Sequence, residues 1–204
     1  SLVGSEMCIR DSLLEDPSPR VRSHAAYLLG ELGDPSAVGM LREYARDSMA
    51  RAAQSDVRLM QLQFAEARVK LGDDSALHEC RAALFPARNE DLEITAVAAQ
   101  IAGEIQDRSS INQLISLTAL KDGSGRMMPP EIRLAAAGSL AKLGLSQGAF
   151  IAREYVANPA PALRAQAAYV LGQTGQADNL ADLEALTNDD NGLVRVAAAS
   201  GILK

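Results

Sequence analysis

Tryptophan is missing from this chain of 204 residues, aromatics make up only 3% of it, and it has two cysteines and two histidines. So few rings exclude a core built on large aromatics and suit helices packed closely through small side chains. Two cysteines cannot make a disulfide framework. The histidines, His24 and His78, form no His-x-x-x-His pair, so no metal site or cofactor is expected. His24 reads as a surface residue. Cys80, between Leu77 and Leu84, reads as a small buried residue. His78 stands two residues from it, on another helical face, so no nucleophile–base pair forms there. No run of about eighteen apolar residues exists to cross a membrane. Twenty Lys+Arg against 26 Asp+Glu leave a net charge of −6, where nucleic-acid binders carry a basic face. Gly123-Ser124-Gly125 lacks the lysine of a phosphate-binding loop and reads as a flexible connection.

What the chain does have is repetition. A branched apolar residue, usually followed by arginine, opens an alanine-rich segment six times. The openings are Val21-Arg22, Val57-Arg58 or Met60-Gln61, Ile94-Thr95, Ile132-Arg133, Leu163-Arg164 and Val194-Arg195. With Met60 taken for the second copy, the last two steps are equal at 31 residues and the earlier ones are longer. Each unit reads as helix A, a glycine turn, helix B and a polar turn. Glycine suits the left-handed end of helix A, and Asp or Ser suits the cap that follows. Gly33-Asp34-Pro35-Ser36, Gly72-Asp73-Asp74-Ser75 and Gly144-Leu145-Ser146 predict this turn three times. Asp16-Pro17-Ser18-Pro19 stops one unit before the next, because proline cannot continue a helix. Leu28, Leu29, Leu140, Val170 and Leu171 are the expected continuous core.

The segments "EDPSPRVRSHAAYLLGELGDPSAV", "PALRAQAAYVLGQTGQADNL" and "PPEIRLAAAGSLAKLG" resemble HEAT repeats of the short bacterial kind, often called phycobilisome-lyase-like. The resemblance runs over residues 13–204, with the second and third copies degenerate. It implies an all-α, right-handed α-α superhelix of about five helix pairs and a terminal half repeat. It also implies that Arg22, Arg133, Arg164 and Arg195 ladder along the stack to acidic turn residues such as Asp16 or Asp189, with Arg58 joining them in the alternative register. Iron-holding hydroxylases of similar build carry several His-Glu pairs, whereas only His78-Glu79 stands here.

A second arginine series appears when the B helices are aligned on the glycine turn. Arg42, Arg81 and Arg153 fall at one position, Tyr44 and Tyr155 match two residues later, and Ile115 and Glu184 break the series. In a HEAT-like array helix B lines the concave surface, so these five side chains are candidate contacts for another protein or peptide. The plainer reading is solvated charge whose stems cover apolar surface. The longest connection spans residues 121–130, where Met127 and Met128 are expected to tuck against the next helix A.

The function these readings point to is a non-catalytic protein-interaction scaffold. Rivals are a bilin-lyase-like enzyme subunit or chaperone, a nucleic-acid-binding helical array and a purely structural segment. Residues 1–12 are expected to be a non-native tail, since residues 2–12 match one reading frame of a transposase sequencing adapter. The repeats would then be a piece of a longer bacterial chain from environmental DNA. On that expectation Ala197, Ala198 and Ile202 lack the cover of their own helix B.

Overall fold

Helix, glycine turn, short 3-10 turn and second helix recur along the chain. The computed structural model describes residues 12–47, 49–86, 91–119, 121 and 127–204. The expected tail falls almost wholly on residues outside this set, as does the middle of the 121–130 connection. The A helices are α1 (Pro19–Leu32), α3 (Gln54–Lys70), α5 (Leu92–Glu104), α7 (Pro130–Lys142), α9 (Pro161–Gln173) and α11 (Gly192–Ile202). The B helices are α2 (Val38–Tyr44), α4 (Leu77–Ala82), α6 (Ile111–Ala119), α8 (Gly148–Arg153) and α10 (Leu180–Leu186). Among the described residues the β-structure is an isolated bridge between Lys121 and Met127. The all-α solenoid expected from the repeats is what forms.

Local chemistry sets the boundaries. Proline opens α1, α7 and α9, where its missing N–H is no loss and its fixed φ suits the first turn. Gly33, Gly72, Gly144 and Gly175 end A helices at φ of 72°, 91°, 86° and 59°, a region costly for other residues. The third copy manages the same turn with Gln106 at φ 55°. Asp34, Asp73 and Asp107 then accept from the backbone N–H of Ser36, Ser75 and Ser109, capping the 3-10 turn into helix B. The Gly144-Leu145-Ser146 turn departs from this expectation. Leucine replaces the acid, and no side chain caps α8.

The chain divides into two compact units, residues 1–94 and 95–204. In the first, Leu14, Ala26, Leu29, Leu41, Met60 and Phe64 share one core. In the second, Leu134, Ala167, Leu171, Leu183, Val194 and Ala198 share another. Leu29, Leu140, Val170 and Leu171 are buried as expected, but Leu28 is 56% exposed. Leu28 holds the place in α1 that Val170 holds in α9, five residues before the turn glycine. Val170 is covered by α7 at Gly138, whereas no helix A precedes α1 among the described residues. Ala198 also departs from expectation. It is fully buried because α11 packs on both α9 and α10, while Ala197 is half-buried and Ile202 remains 36% exposed.

Within each unit the A helices pack by two devices, small-residue contact and charge. A Cβ on Gly172 would lie 2.4 Å from Gly201 Cα, one on Gly103 2.7 Å from Ser139 Oγ, and one on Gly30 3.1 Å from Ala67 Cα. Each glycine stands three residues before its turn, and the facing Ala67 and Ser139 stand five before theirs. At the α7–α9 interface the same places hold Ala141 and Val170, so no glycine mediates the approach there. Charge also joins A helices, two residues before the turn, at two of these contacts. Lys70 bonds Glu31 at 2.6 Å and sits 5.1 Å over the Tyr27 ring. Lys142 bonds Glu104 and, with Lys204, flanks the Tyr169 ring at 5.7 and 5.4 Å. At two of the three glycine contacts, α1–α3 and α5–α7, such an ion pair accompanies the close approach, and the two act together as registry devices on the A side.

Candidate functional site

The helix-A arginines do two jobs at once. Arg22, 6% exposed, donates backwards to the carbonyls of Asp16 and Glu15 and forwards to the Asp47 carboxylate at 2.8 Å. Arg133 donates backwards to the Thr118 carbonyl and forwards to both oxygens of Glu154 and to the Tyr155 hydroxyl. Arg164 donates to the carbonyls of Asn158 and Pro159 and grips Asp189 with Nε and Nη2 at 2.7 and 2.8 Å. Arg195 donates to the carbonyls of Asp189 and Asp190. Each guanidinium therefore binds a carbonyl of the segment leading into its own helix A, and three of the four also take a carboxylate beyond their own helix B. Its fixed fork of five donors makes both possible, and lysine could not substitute. Asp16 takes part through its carbonyl, its carboxylate being used on the Ser18 N–H.

In the second copy the two openings share these jobs. Gln61 Nε2 reaches back to the Ala45 carbonyl at 3.4 Å, and Arg58, one turn earlier in α3, reaches forward to Asp91 at 2.5 Å. The extra turn of α3 is why neither register alone explains this repeat.

The helix-B arginines also point along the stack. Arg42 grips Asp73 of the next turn with Nε at 3.0 Å and Nη2 at 2.8 Å. Arg153, at the equivalent place in α8, bonds Asp182, Asn179 and the Asp178 carbonyl. Arg81 is partly buried on α4. Tyr44 is partly buried against the first core and donates to Glu15 at 2.6 Å. Tyr155 is 8% exposed, a member of the second core, with the Arg133 guanidinium 5.6 Å from its ring. So two aligned arginines bind the next repeat, and Tyr155 is packed inside because the turn after α8 folds it onto α7 and α9. Cys80 is 3% exposed, and His24 and His78 are exposed, each bonded to a backbone carbonyl.

Asp73 is a junction that sequence reasoning saw only as a cap. Besides Arg42 it accepts from Arg68 Nε at 2.8 Å and from the Ser75 hydroxyl, and Arg68 continues to Glu79. The Arg42 guanidinium, more than any other group, holds the Asp73 carboxyl well below the usual carboxylate range, although burial opposes it. A legible signal existed in Arg68, four residues before Gly72-Asp73 and so able to reach round the turn.

Beside this junction the helix-B side opens. A trough of about 760 Å³ lies between α2 and α4 with α3 as its floor, lined by Arg42, Arg46, Gln61, Arg68 and Glu79 among others. It adjoins a hollow of about 300 Å³ lined by Leu62, Ala82, Phe85, Asp91 and Ile94. Gln61 and Glu79 line both. Of the three phenylalanines, Phe64 is fully buried, whereas Phe85 just after α4 is 63% exposed and Phe150 on α8 is 70% exposed. Met127 is 43% exposed and Met128 buried, so only the second tucks in as expected. No group of three potential metal ligands occurs among the described residues, and no helix among them is long and apolar enough to cross a membrane.

Stacked helix pairs joined by arginine ladders define a helical-repeat protein. A family model described as HEAT repeats matches residues 8–60 and 125–202, more than half the chain. The chain belongs to the HEAT repeat family. Its fold is similar to the crystal structure of an engineered protein from the Northeast Structural Genomics Consortium. That similarity has 16% sequence identity and a TM-score of 0.55, and covers 95% of this chain and 94% of the other. At that identity the likeness concerns the fold alone. None of the curated proteins matches the chain.

Proposed function

We propose that the protein is a non-catalytic scaffold that binds a partner protein or peptide across its helix-B surface. HEAT repeats commonly serve as protein-interaction scaffolds, which makes this the reading of first choice. The observation that carries it is the placement of Phe85 and Phe150. Two of only three phenylalanines stand more than half exposed on helix-B elements, where burial in the core would stabilise the fold. Exposed aromatics of this kind supply anchor contacts in interfaces. The aligned arginines contribute by shaping the surface. Arg42 and Arg153 hold neighbouring repeats in place, and the exposed parts of their guanidinium groups remain available to acceptors. The exposed tyrosines of the A side, Tyr27 and Tyr169, are occupied by lysines. The 31-residue steps support a short bacterial type of repeat.

The test is hydrogen–deuterium exchange on the chain with a partner captured from a bacterial lysate. Protection confined to α2, α4, α8 and the turns beside them is the expected result. Protection confined to the A helices would overturn the assignment of the face.

A further inference from the structure

We propose that the trough between α2 and α4 docks an acidic peptide segment carrying an apolar side chain, its carboxylates against Arg42 and Arg46 and its apolar group in the hollow beside Phe85. This rests on the helix-B reading above and names the chemistry of the partner.

Unspent donors carry the inference. Arg42 commits Nε and Nη2 to Asp73, and Nη1 has no partner among the described residues, although the side chain is 49% exposed. Arg46 is exposed and makes no side-chain hydrogen bond or ion pair among the described residues. Arg42 lies in the last turn of α2 and Arg46 in the turn just after it, and both line the trough. The acceptors nearby are already engaged. Asp73 holds Arg42, Arg68 and Ser75, and Glu79 holds Arg68. What faces the opening is therefore donor capacity without matching acceptors, in a chain whose net charge is −6. Carboxylates meet such a pair of forked donors with charge-assisted bonds.

The neighbouring hollow sets the rest of the partner's character. Leu62, Ala82 and Ile94 form an apolar lining, and Phe85 stands exposed over it. Its volume of about 300 Å³ admits a side chain or two, at the small end of ligand pockets. Glu79 and Asp91 lie in the same hollow, so a phosphate backbone running the length of the groove would meet carboxylates at one end. A peptide with acid at one end and an apolar group at the other meets neither conflict. The sharing of Gln61 and Glu79 makes trough and hollow one continuous path.

The experiment is panning of a random dodecapeptide phage library on the full chain, followed by fluorescence anisotropy with the selected peptides. Selected sequences are expected to pair Asp or Glu with a nearby apolar residue. Arg46→Glu and Phe85→Ser should each weaken binding about tenfold or more, as removal of an anchor contact does. Arg51→Glu, an exposed arginine outside the trough, should leave affinity within about twofold. Neither Arg46 nor Phe85 has a described side-chain hydrogen bond or ion pair, so both variants should keep the parent unfolding midpoint. Peptides without an acidic excess, or binding indifferent to Arg46→Glu, would overturn the proposal. If the peptides depend instead on Phe150→Ser, docking lies elsewhere on the helix-B surface: this inference fails while the scaffold reading stands. If no peptide is enriched, the proposal fails, and if the lysate partner also protects only A helices, the scaffold face fails with it.

Discussion

Replacing Asp73 by alanine tests how neighbouring repeats are held. The carboxylate is 5% exposed and receives charge-assisted bonds from Arg42 and Arg68. Removing one partner of a buried pair typically costs about 3–5 kcal/mol, because the other charge is left uncompensated. Here the cost divides unequally. Arg42 is 49% exposed and returns to water, so its share is that of a surface pair, up to about 1 kcal/mol. Arg68 is 10% exposed and keeps only Glu79 and Ser75, so it bears most of the loss. The expected total is about 2–4 kcal/mol. Urea unfolding followed by helical circular dichroism measures it, with double-mutant cycles pairing Asp73→Ala with Arg42→Ala and with Arg68→Ala. The Arg68 coupling should exceed the Arg42 coupling by about twofold or more. A total cost below about 0.5 kcal/mol, the range of ordinary surface changes, would refute the reasoning, as would the reverse order of couplings. Acid gives a second handle. The folded carboxyl lies below its unfolded value of about 3.9, so its contribution is present above that value and fades as pH falls through the folded one. Asp73→Asn should flatten the loss of stability below about pH 4.

Leu171→Ala removes a side chain that is 1% exposed in the second core and should cost about 2–5 kcal/mol; an unchanged unfolding midpoint would contradict the repeat register. Gly172→Ala should destabilise by about 1–3 kcal/mol through its clash with Gly201, less up to about 1 kcal/mol of helix propensity. Gly39→Ala, in α2 with nothing within 4 Å of the new Cβ, should instead stabilise by about 0.5–1 kcal/mol, and equal effects at the two glycines would sink the close-approach argument. The Asp189 carboxyl, held down first by Arg164 and then by the Asn191 N–H, should titrate at about 2 by NMR in the folded chain. Stability tied to it is present above the unfolded value of about 3.9 and lost as pH falls towards the folded one, so Asp189→Asn removes that part of the acid sensitivity.

The repeats were legible because glycine turns, proline starts and Asp caps are local chemistry. Arg22, Arg133 and Arg164 stood out because one residue type recurred at one register, and each bonds both before its helix A and beyond its helix B. Less of the surface was. Arg42 and Arg153 align in sequence, but their acceptors lie 25 to 31 residues away, on segments whose chemistry differs between copies: the turn residue Asp73 in one, Asn179 just before α10 and Asp182 within it in the other. Tyr155 looked equivalent to Tyr44, yet burial depends on how the chain leaves α8, which pattern alone does not specify. Leu28 shows the limit for the core. Its apolar character is the same as Val170's, and only the presence of a neighbouring helix decides whether such a residue is covered. The pairing of repeats by Gly30, Gly103 and Gly172 needs the knowledge of which residue each glycine faces.

The most direct measurement of the function is calorimetric titration of the captured partner against two matched pairs of variants. Phe85→Ser and Phe150→Ser alter the helix-B side; Leu28→Ser and Val196→Ser alter exposed residues of A helices. With unfolding midpoints unchanged in all four, the helix-B variants should weaken binding about tenfold or more and the helix-A variants by less than about twofold. Loss of affinity in the helix-A pair alone would contradict a scaffold that works through its B helices.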